Sequence, residues 1–154
     1  MKLHLLFAVS LFAACGDSGG GTTSPDAMTI GCINDPRAMT YTADMMLTMT
    51  ATQKLKFELV NSMPGPPVKG NNTWQVKLLD ANNQPVTGAM IKVTPFMPDH
   101  GHGTSVVPQV TPMGDGYTVT PLYLFMAGLW QVTIEVDSSP AGADSAVFYF
   151  CIPG

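Results

Sequence analysis

The sequence predicts an all-β protein built as an antiparallel β-sandwich of about seven strands. Hydrophobic and polar residues alternate in several short segments, and turn-forming residues separate these segments. No stretch shows a convincing helical pattern, and the 15 glycines and 13 prolines favour many turns over long helices. Short strands at this spacing indicate an immunoglobulin-like sandwich, with a small barrel as the alternative.

Three segments alternate most clearly, namely 55–59 (L-K-F-E-L), 74–78 (W-Q-V-K-L) and 130–136 (W-Q-V-T-I-E-V). In each of them we expect the aromatic and aliphatic side chains to face the core and the polar ones to face solvent. Weaker strand candidates are residues 88–96, 105–111, 116–123 and 145–151.

Two prolines restrict where these strands can pair. Pro95 and Pro121 have no N–H to donate to a neighbouring strand, so we expect them at strand ends, bulges or edges. Turns are predicted between the strands at 80–85, 113–116 and 138–142, where Gly, Pro, Asn and Asp cluster.

Length and charge limit the class of protein. The 154 residues suffice for one folded domain, and 45% of them are hydrophobic, which is enough for a packed core. The formal net charge is −4. An acidic chain of this kind lacks the basic surface that nucleic-acid binding needs, so we exclude that partner.

The N-terminus predicts export and lipidation. Lys2 precedes an apolar run at 5–14 that is too short to span a bilayer as a mature helix, which is typical of a signal peptide over residues 1–14. The ending L-F-A-A-C looks like a bacterial lipobox, with Cys15 as the lipidated residue; plain secretion is the alternative. We therefore expect a lipid-anchored protein of the cell envelope, on the periplasmic or outer-membrane face, held to the membrane through Cys15.

Three further parts follow the signal peptide. Residues 15–27 contain the lipidated cysteine and a Gly- and Ser-rich flexible tether. Residues 28–53 form a leader segment that contains Cys32, and residues 54–154 form the β-sandwich domain.

Two cysteines remain in the mature chain beyond Cys15. In an oxidising compartment Cys32 and Cys151 are expected to form a disulfide that ties the two ends of the folded part together. A two-cysteine metal site is the alternative, but the residues lack the C-x-x-C spacing.

The sequence offers little for catalysis. Ser105, His100 and Asp99 could be combined into a Ser–His–Asp triad, but no G-x-S-x-G elbow is present. The other acidic residues are scattered through turns. We therefore predict that the protein is not an enzyme.

The segment M-P-D-H-G-H-G contains the candidate metal ligands. If it is locally extended, His100 and His102 point to one side and can share an ion, and Gly101 lets the backbone aim them. Imidazole suits copper and zinc, and thioether sulfur selects Cu(I), so Met97 and Met126 are candidate sulfur ligands.

Other interpretations of these residues stay open. An H-x-H pair beside glycines is often a solvated turn, and methionine is a common core residue. Met45, Met46 and Met49 could form a second soft copper-binding stretch, although core packing or a disordered leader explains them more simply.

The order of several segments resembles the YtkA-like family. The resemblance covers roughly residues 54–137, and its most specific parts are M-P-D-H-G-H-G at 97–103 and M-A-G-L-W at 126–130. Supporting segments are P-P-V-K-G-N-N-T-W at 66–74 and D-A-N-N-Q-P-V at 80–86. Members of this family are small extracytoplasmic β-sandwich modules, often on lipoproteins.

The resemblance implies a function as well as a fold. It makes Met97, His100, His102 and Met126 family-motif positions, and the wider group is linked to copper handling and respiratory oxidase assembly. We therefore expect a copper-binding or copper-handling domain that uses Cu(I), with an oxidase or a copper-transfer protein as its envelope partner. The alternative is a structural or protein-interaction module without a metal.

Overall fold

The computed structural model describes residues 32–47 and 50–154. Throughout this part of the chain every helix or strand element is a strand, and the strands pair antiparallel. Within it there is no helix with the length and apolar character that crossing a membrane requires. The predicted signal peptide, the tether, Cys15 and Met49 lie outside the described residues.

The strands form two sheets, and the predicted sandwich is confirmed. The strands in chain order are β1 (Met45–Leu47), β2 (Lys56–Met63), β3 (Gly70–Leu79), β4 (Met90–Met97), β5 (His102–Gly103), β6 (Gln109–Met113), β7 (Gly116–Leu124), β8 (Gly128–Ser138) and β9 (Asp144–Ile152). One sheet has the order β1-β2-β3-β7-β6 and the other has the order β5-β4-β8-β9. The described strands number nine rather than about seven. The two additional ones, β1 and β5, have three and two residues and are too short to show an alternating pattern.

The predicted inward faces of the three clearest segments are all buried between the sheets. Trp74 is fully buried and joins the sheets, because its ring packs edge-on against Phe148 at 5.8 Å and Phe150 at 5.5 Å between ring centres. Burying an aromatic side chain of this size contributes roughly 1.5–3 kcal/mol. These faces make one continuous core.

One strand prediction was wrong in position. Residues 105–111 were expected to form a strand, but β6 covers Gln109–Met113. Residues 104–108 instead connect β5 in one sheet to β6 in the other. A chain that crosses between sheets cannot follow either ladder, and Pro108 could not donate to one.

Both prolines occupy the kind of position that was expected. β5 pairs only with Phe96 and Met97 of β4, so Pro95 lies where the outer edge of β4 is open. Pro121 lies in the part of β7 where its pairing with β3 shifts register, between Asn72 and Trp74. At neither position does strand pairing require the backbone N–H that proline lacks.

The leader is joined to both sheets. Its strand β1 pairs with β2, while the amides of Met39 and Ala51 donate to the carbonyls of Tyr149 and Ser145 in β9 at 2.8 and 3.0 Å. These bonds cover the outer edge of β9. The expected disulfide is confirmed, and it joins Cys32 to Cys151 across 119 residues.

Candidate metal-binding loop

The histidine loop is a tight turn between β4 and β5. The amides of His100 and Gly101 donate to the Met97 carbonyl at 3.2 and 2.9 Å, and Met97 pairs with His102 across the hairpin. Gly101 has a φ of 70°, which a side chain would disfavour. The turn therefore presents both histidines at the edge of a sheet, although only His102 lies in an extended segment.

The two imidazole rings lie at a separation that suits a shared ion. Their centres are 5.7 Å apart and their planes are inclined at 63°. A metal about 2 Å from a ring nitrogen lies about 3 Å from the ring centre, so two rings on one ion have centres about 5–6 Å apart. The His102 Nδ1 lies 3.4 Å from the Gly103 carbonyl oxygen, and the structure shows no other hydrogen bond to either ring from residues 32–47 or 50–154. The other ring nitrogens can therefore act as ligands.

Met97 brings sulfur to the same place. Its side chain is fully buried at the end of β4. A Cβ added to Gly128, the first residue of β8, would lie 2.7 Å from Met97 Cε and 3.9 Å from His100 Nε2. Met97 Cε and His100 Nε2 therefore both lie close to the same point beside the Gly128 backbone, and the Met97 sulfur is bonded to that Cε.

Gly128 keeps this space open, and replacing it gives a first prediction. Its φ of 132° disfavours any other residue, and an added methyl group would force Met97 Cε away. We expect Gly128→Ala to lower the free energy of unfolding by about 2 kcal/mol, measured by urea denaturation. Gly70→Ala is the matched control, because Gly70 has a φ of 103° but no atom within 4 Å of the added Cβ. Equal losses in the two variants would mean that Met97 packing is not involved.

Met126, the fourth predicted ligand, lies in the neighbouring loop. Its side chain is half-buried against the core, and its carbonyl accepts a 2.9 Å hydrogen bond from the Trp130 indole. No Met126 atom lies within 4 Å of a Cβ added to Gly128, whereas atoms of Met97 and His100 do. The structure thus brings Met97, His100 and His102 together and places Met126 beside them in the chain.

Aromatic residues that sequence reasoning missed line the outer side of the histidine pair. Phe125 stacks on His102 with ring centres 5.6 Å apart, and Tyr123 stacks on Phe125 at 6.2 Å. With Thr104 and Ser105 they border an open hollow of about 520 Å³. Tyr123 and Phe125 alternate with the buried Leu122 and Leu124, and that alternation could have identified them as outward-facing.

Asp99 does not join a Ser–His–Asp arrangement. Both of its carboxylate oxygens accept hydrogen bonds at 2.9 Å from Nη2 of Arg37 in the leader. Arg37 also bonds Asp35 through its side chain and backbone, which lowers the pKa of Asp35 to about 2. In the described part of the chain no hydrogen bond links Asp99 to His100. Sequence reasoning missed this contact because Arg37 and Asp99 are 62 residues apart.

Acidic and cysteine ligands do not supplement the histidine pair. Across residues 32–47 and 50–154, no group of three or more His, Cys, Asp or Glu side chains is placed to hold a metal ion. Any ion at this loop would therefore depend on two imidazoles together with thioether sulfur. Such a donor set suits a soft cation better than Ca²⁺ or Mg²⁺, which prefer oxygen ligands.

The fold and the loop together define a class of protein, namely a two-sheet antiparallel β-sandwich that presents a His-x-His turn at one sheet edge. The chain belongs to the YtkA-like family, whose sequence pattern matches residues 41–135. The match begins before β1, ends within β8 and includes the whole histidine loop, while Arg37 and both disulfide cysteines lie outside it. Comparisons with curated proteins and with solved structures gave no match.

Proposed function

We propose that this protein is a copper-binding or copper-handling lipoprotein domain of the bacterial cell envelope. His100 and His102 bind Cu(I) through ring nitrogens, Met97 adds its thioether sulfur, and Met126 is a further sulfur donor from the adjacent loop. The observation that carries the proposal is the 5.7 Å spacing of two imidazoles beside a buried thioether. A lipid on Cys15 would hold the domain at the membrane surface, with an oxidase or a copper-transfer protein as its partner.

The ligand set favours Cu(I) over harder ions. Neutral imidazole and thioether carry no charge, and a soft monovalent cation needs no carboxylate to neutralise it. Met97 is buried whereas His100 is exposed, so an ion would meet the histidines first. That order suits a cargo that is loaded and released at the surface.

A competition titration with a Cu(I) chelator tests the proposal. We expect His100→Ala/His102→Ala to weaken Cu(I) binding by at least about 100-fold, because two of the ligands are lost. Met113→Leu is the control, since Met113 is an exposed methionine in the β6–β7 hairpin and should bind as the wild type does. Equal binding by the wild type and the double histidine variant would exclude the site.

A non-metal interaction module is the second candidate. The turn is already closed by its own bonds to the Met97 carbonyl and by the Arg37–Asp99 pair, so its shape does not require an ion. Melting curves separate the two candidates. A cation that binds only the folded state at 100 times its Kd adds about 2.7 kcal/mol, so Cu(I) should raise the Tm by several degrees. An unchanged Tm would favour the interaction module.

A further inference from the structure

Arg37 connects the disulfide-bonded end of the leader to the histidine turn. The leader begins with a turn in which the Asp35 amide donates to the Cys32 carbonyl at 3.2 Å and the Ala38 amide donates to the Asp35 carbonyl at 2.9 Å. Cys32 is bonded to Cys151 in β9. This turn is therefore attached covalently to the sheet that also contains β4 and β5.

The Arg37 side chain is held within its own turn. Its backbone amide and its Nε both donate to Asp35 Oδ1, at 2.8 and 2.9 Å, and its Nη2 donates to Asp35 Oδ2 at 2.6 Å. These bonds to Asp35 orient the guanidinium plane independently of any contact with the histidine turn. A preorganised arginine loses less side-chain entropy when it binds a second carboxylate.

The second carboxylate is Asp99, the residue directly before His100. Arg37 Nη2 lies 2.9 Å from both of its oxygens. The two side chains remain partly exposed, at 42% and 50%, and an isolated pair of that kind contributes little to stability. Here the Arg37–Asp99 pair acts on a four-residue turn. The turn itself is closed by two hydrogen bonds, from the amides of His100 and Gly101 to the Met97 carbonyl.

We infer that Arg37 is a positioning residue for the histidine pair: through Asp99 it holds the β4–β5 turn in the conformation in which His100 and His102 face one ion, and the Cys32–Cys151 disulfide keeps Arg37 in place. The part that concerns metal affinity rests on the proposed function. Arg37 and Cys32 lie outside the family-matched residues, so membership of the family does not by itself account for this contact.

Amide hydrogen exchange of the metal-free full chain in detergent tests the positioning itself. We expect Arg37→Gln to speed exchange at His100 and Gly101 by about three- to ten-fold while the urea midpoint stays unchanged. Lys92→Gln is the matched control, because it removes the exposed Lys92–Glu135 pair of the same sheet, at 3.1 Å, and should leave the turn unaffected. Unchanged exchange in Arg37→Gln would overturn the inference.

Cu(I) competition titration of the same variants tests the consequence for the site. Arg37→Gln and Asp99→Asn should each weaken binding by about three- to ten-fold, and the double variant should be no weaker than either single one, because they break one contact. Additive losses would overturn the inference. If the wild type fails to bind Cu(I), the proposed function fails, and the exchange result still decides whether Arg37 positions the turn. If Arg37→Gln exchanges faster at the turn but binds Cu(I) as tightly as the wild type, the role of Arg37 in metal binding is overturned.

Discussion

Replacing both disulfide cysteines is expected to cause the largest loss of stability, about 4–5 kcal/mol, in a Cys32→Ser/Cys151→Ser variant. The bridge spans 119 residues, and closing a loop of that length restricts the unfolded chain strongly. Single domains have unfolding free energies of about 5–15 kcal/mol, so this loss removes about a quarter of the total or more. Urea denaturation at neutral pH measures it.

Cys15→Ser serves as the control for cysteine chemistry. Cys15 lies outside the described residues and should not change the urea midpoint. The same midpoint for the Cys32→Ser/Cys151→Ser variant and the control would contradict the prediction. Wild type treated with a dithiol reductant should have the same urea midpoint as the Cys32→Ser/Cys151→Ser variant, because both proteins lack the disulfide bond.

The second large effect is expected at Asp144, a buried carboxylate at the start of β9. It binds the segment that leads into β2, and it accepts five hydrogen bonds of 2.8–2.9 Å, from Thr50 Oγ1 and from the amides of Thr52, Lys54, Leu55 and Ser145. An amide would keep one oxygen and place an N–H₂ group at the other position, so either the two donors to Oδ1 or the three donors to Oδ2 would lose their acceptor. Hydrogen bonds to a charged group contribute about 1.5–3 kcal/mol each, although they are not additive.

We expect Asp144→Asn to lower the free energy of unfolding by about 3–4 kcal/mol, again measured with urea. Asp137→Asn is the matched control, because Asp137 is an exposed aspartate near the end of β8, the strand next to β9. It should change stability by less than about 0.5 kcal/mol. Similar losses in both variants would show that net charge, and not the hydrogen bonds of Asp144, is responsible.

The same carboxylate makes the stability depend on pH in a defined direction. Burial alone would raise the pKa of Asp144, but hydrogen bonds from Thr52, Leu55, Thr50 and Ser145 outweigh burial and hold this pKa well below its usual range. Its contribution is therefore complete above the ordinary carboxyl pKa of about 3.9 and is lost as the pH falls towards the lower folded-state value. The difference between wild type and Asp144→Asn should be constant from pH 5 to 7 and should narrow below about pH 4. A difference that grows on acidification would contradict this sign.

Much of the fold could be predicted because strand faces depend on local alternation. Segments 55–59, 74–78 and 130–136 bury the side chains that the period of two assigns to the core. Pro95 and Pro121 occupy an open edge and a bulge because the missing N–H excludes them from a regular ladder wherever it runs. The position of β6 could not be predicted in this way, since the path of 104–108 between the sheets depends on which strands become neighbours.

The candidate site was only partly visible in the sequence. His100 and His102 could be identified because they are two residues apart in a glycine-containing segment, and Met97 because it precedes them closely. Arg37 could not be identified, because nothing near it in the chain indicates that its Nη2 will lie 2.9 Å from the Asp99 carboxylate. Phe125 was missed for the same reason, since its stacking on His102 depends on how two loops meet.

Local sequence is sufficient to predict the strand faces, the sandwich class and the candidate metal ligands, because alternation and residue chemistry act over a few positions. Three other features require the complete fold: Met97 and His100 both approach Gly128, Arg37 holds Asp99, and Asp144 binds the chain about ninety residues before it. Contacts of this range depend on the complete strand order, which brings together residues that have no relation in the sequence.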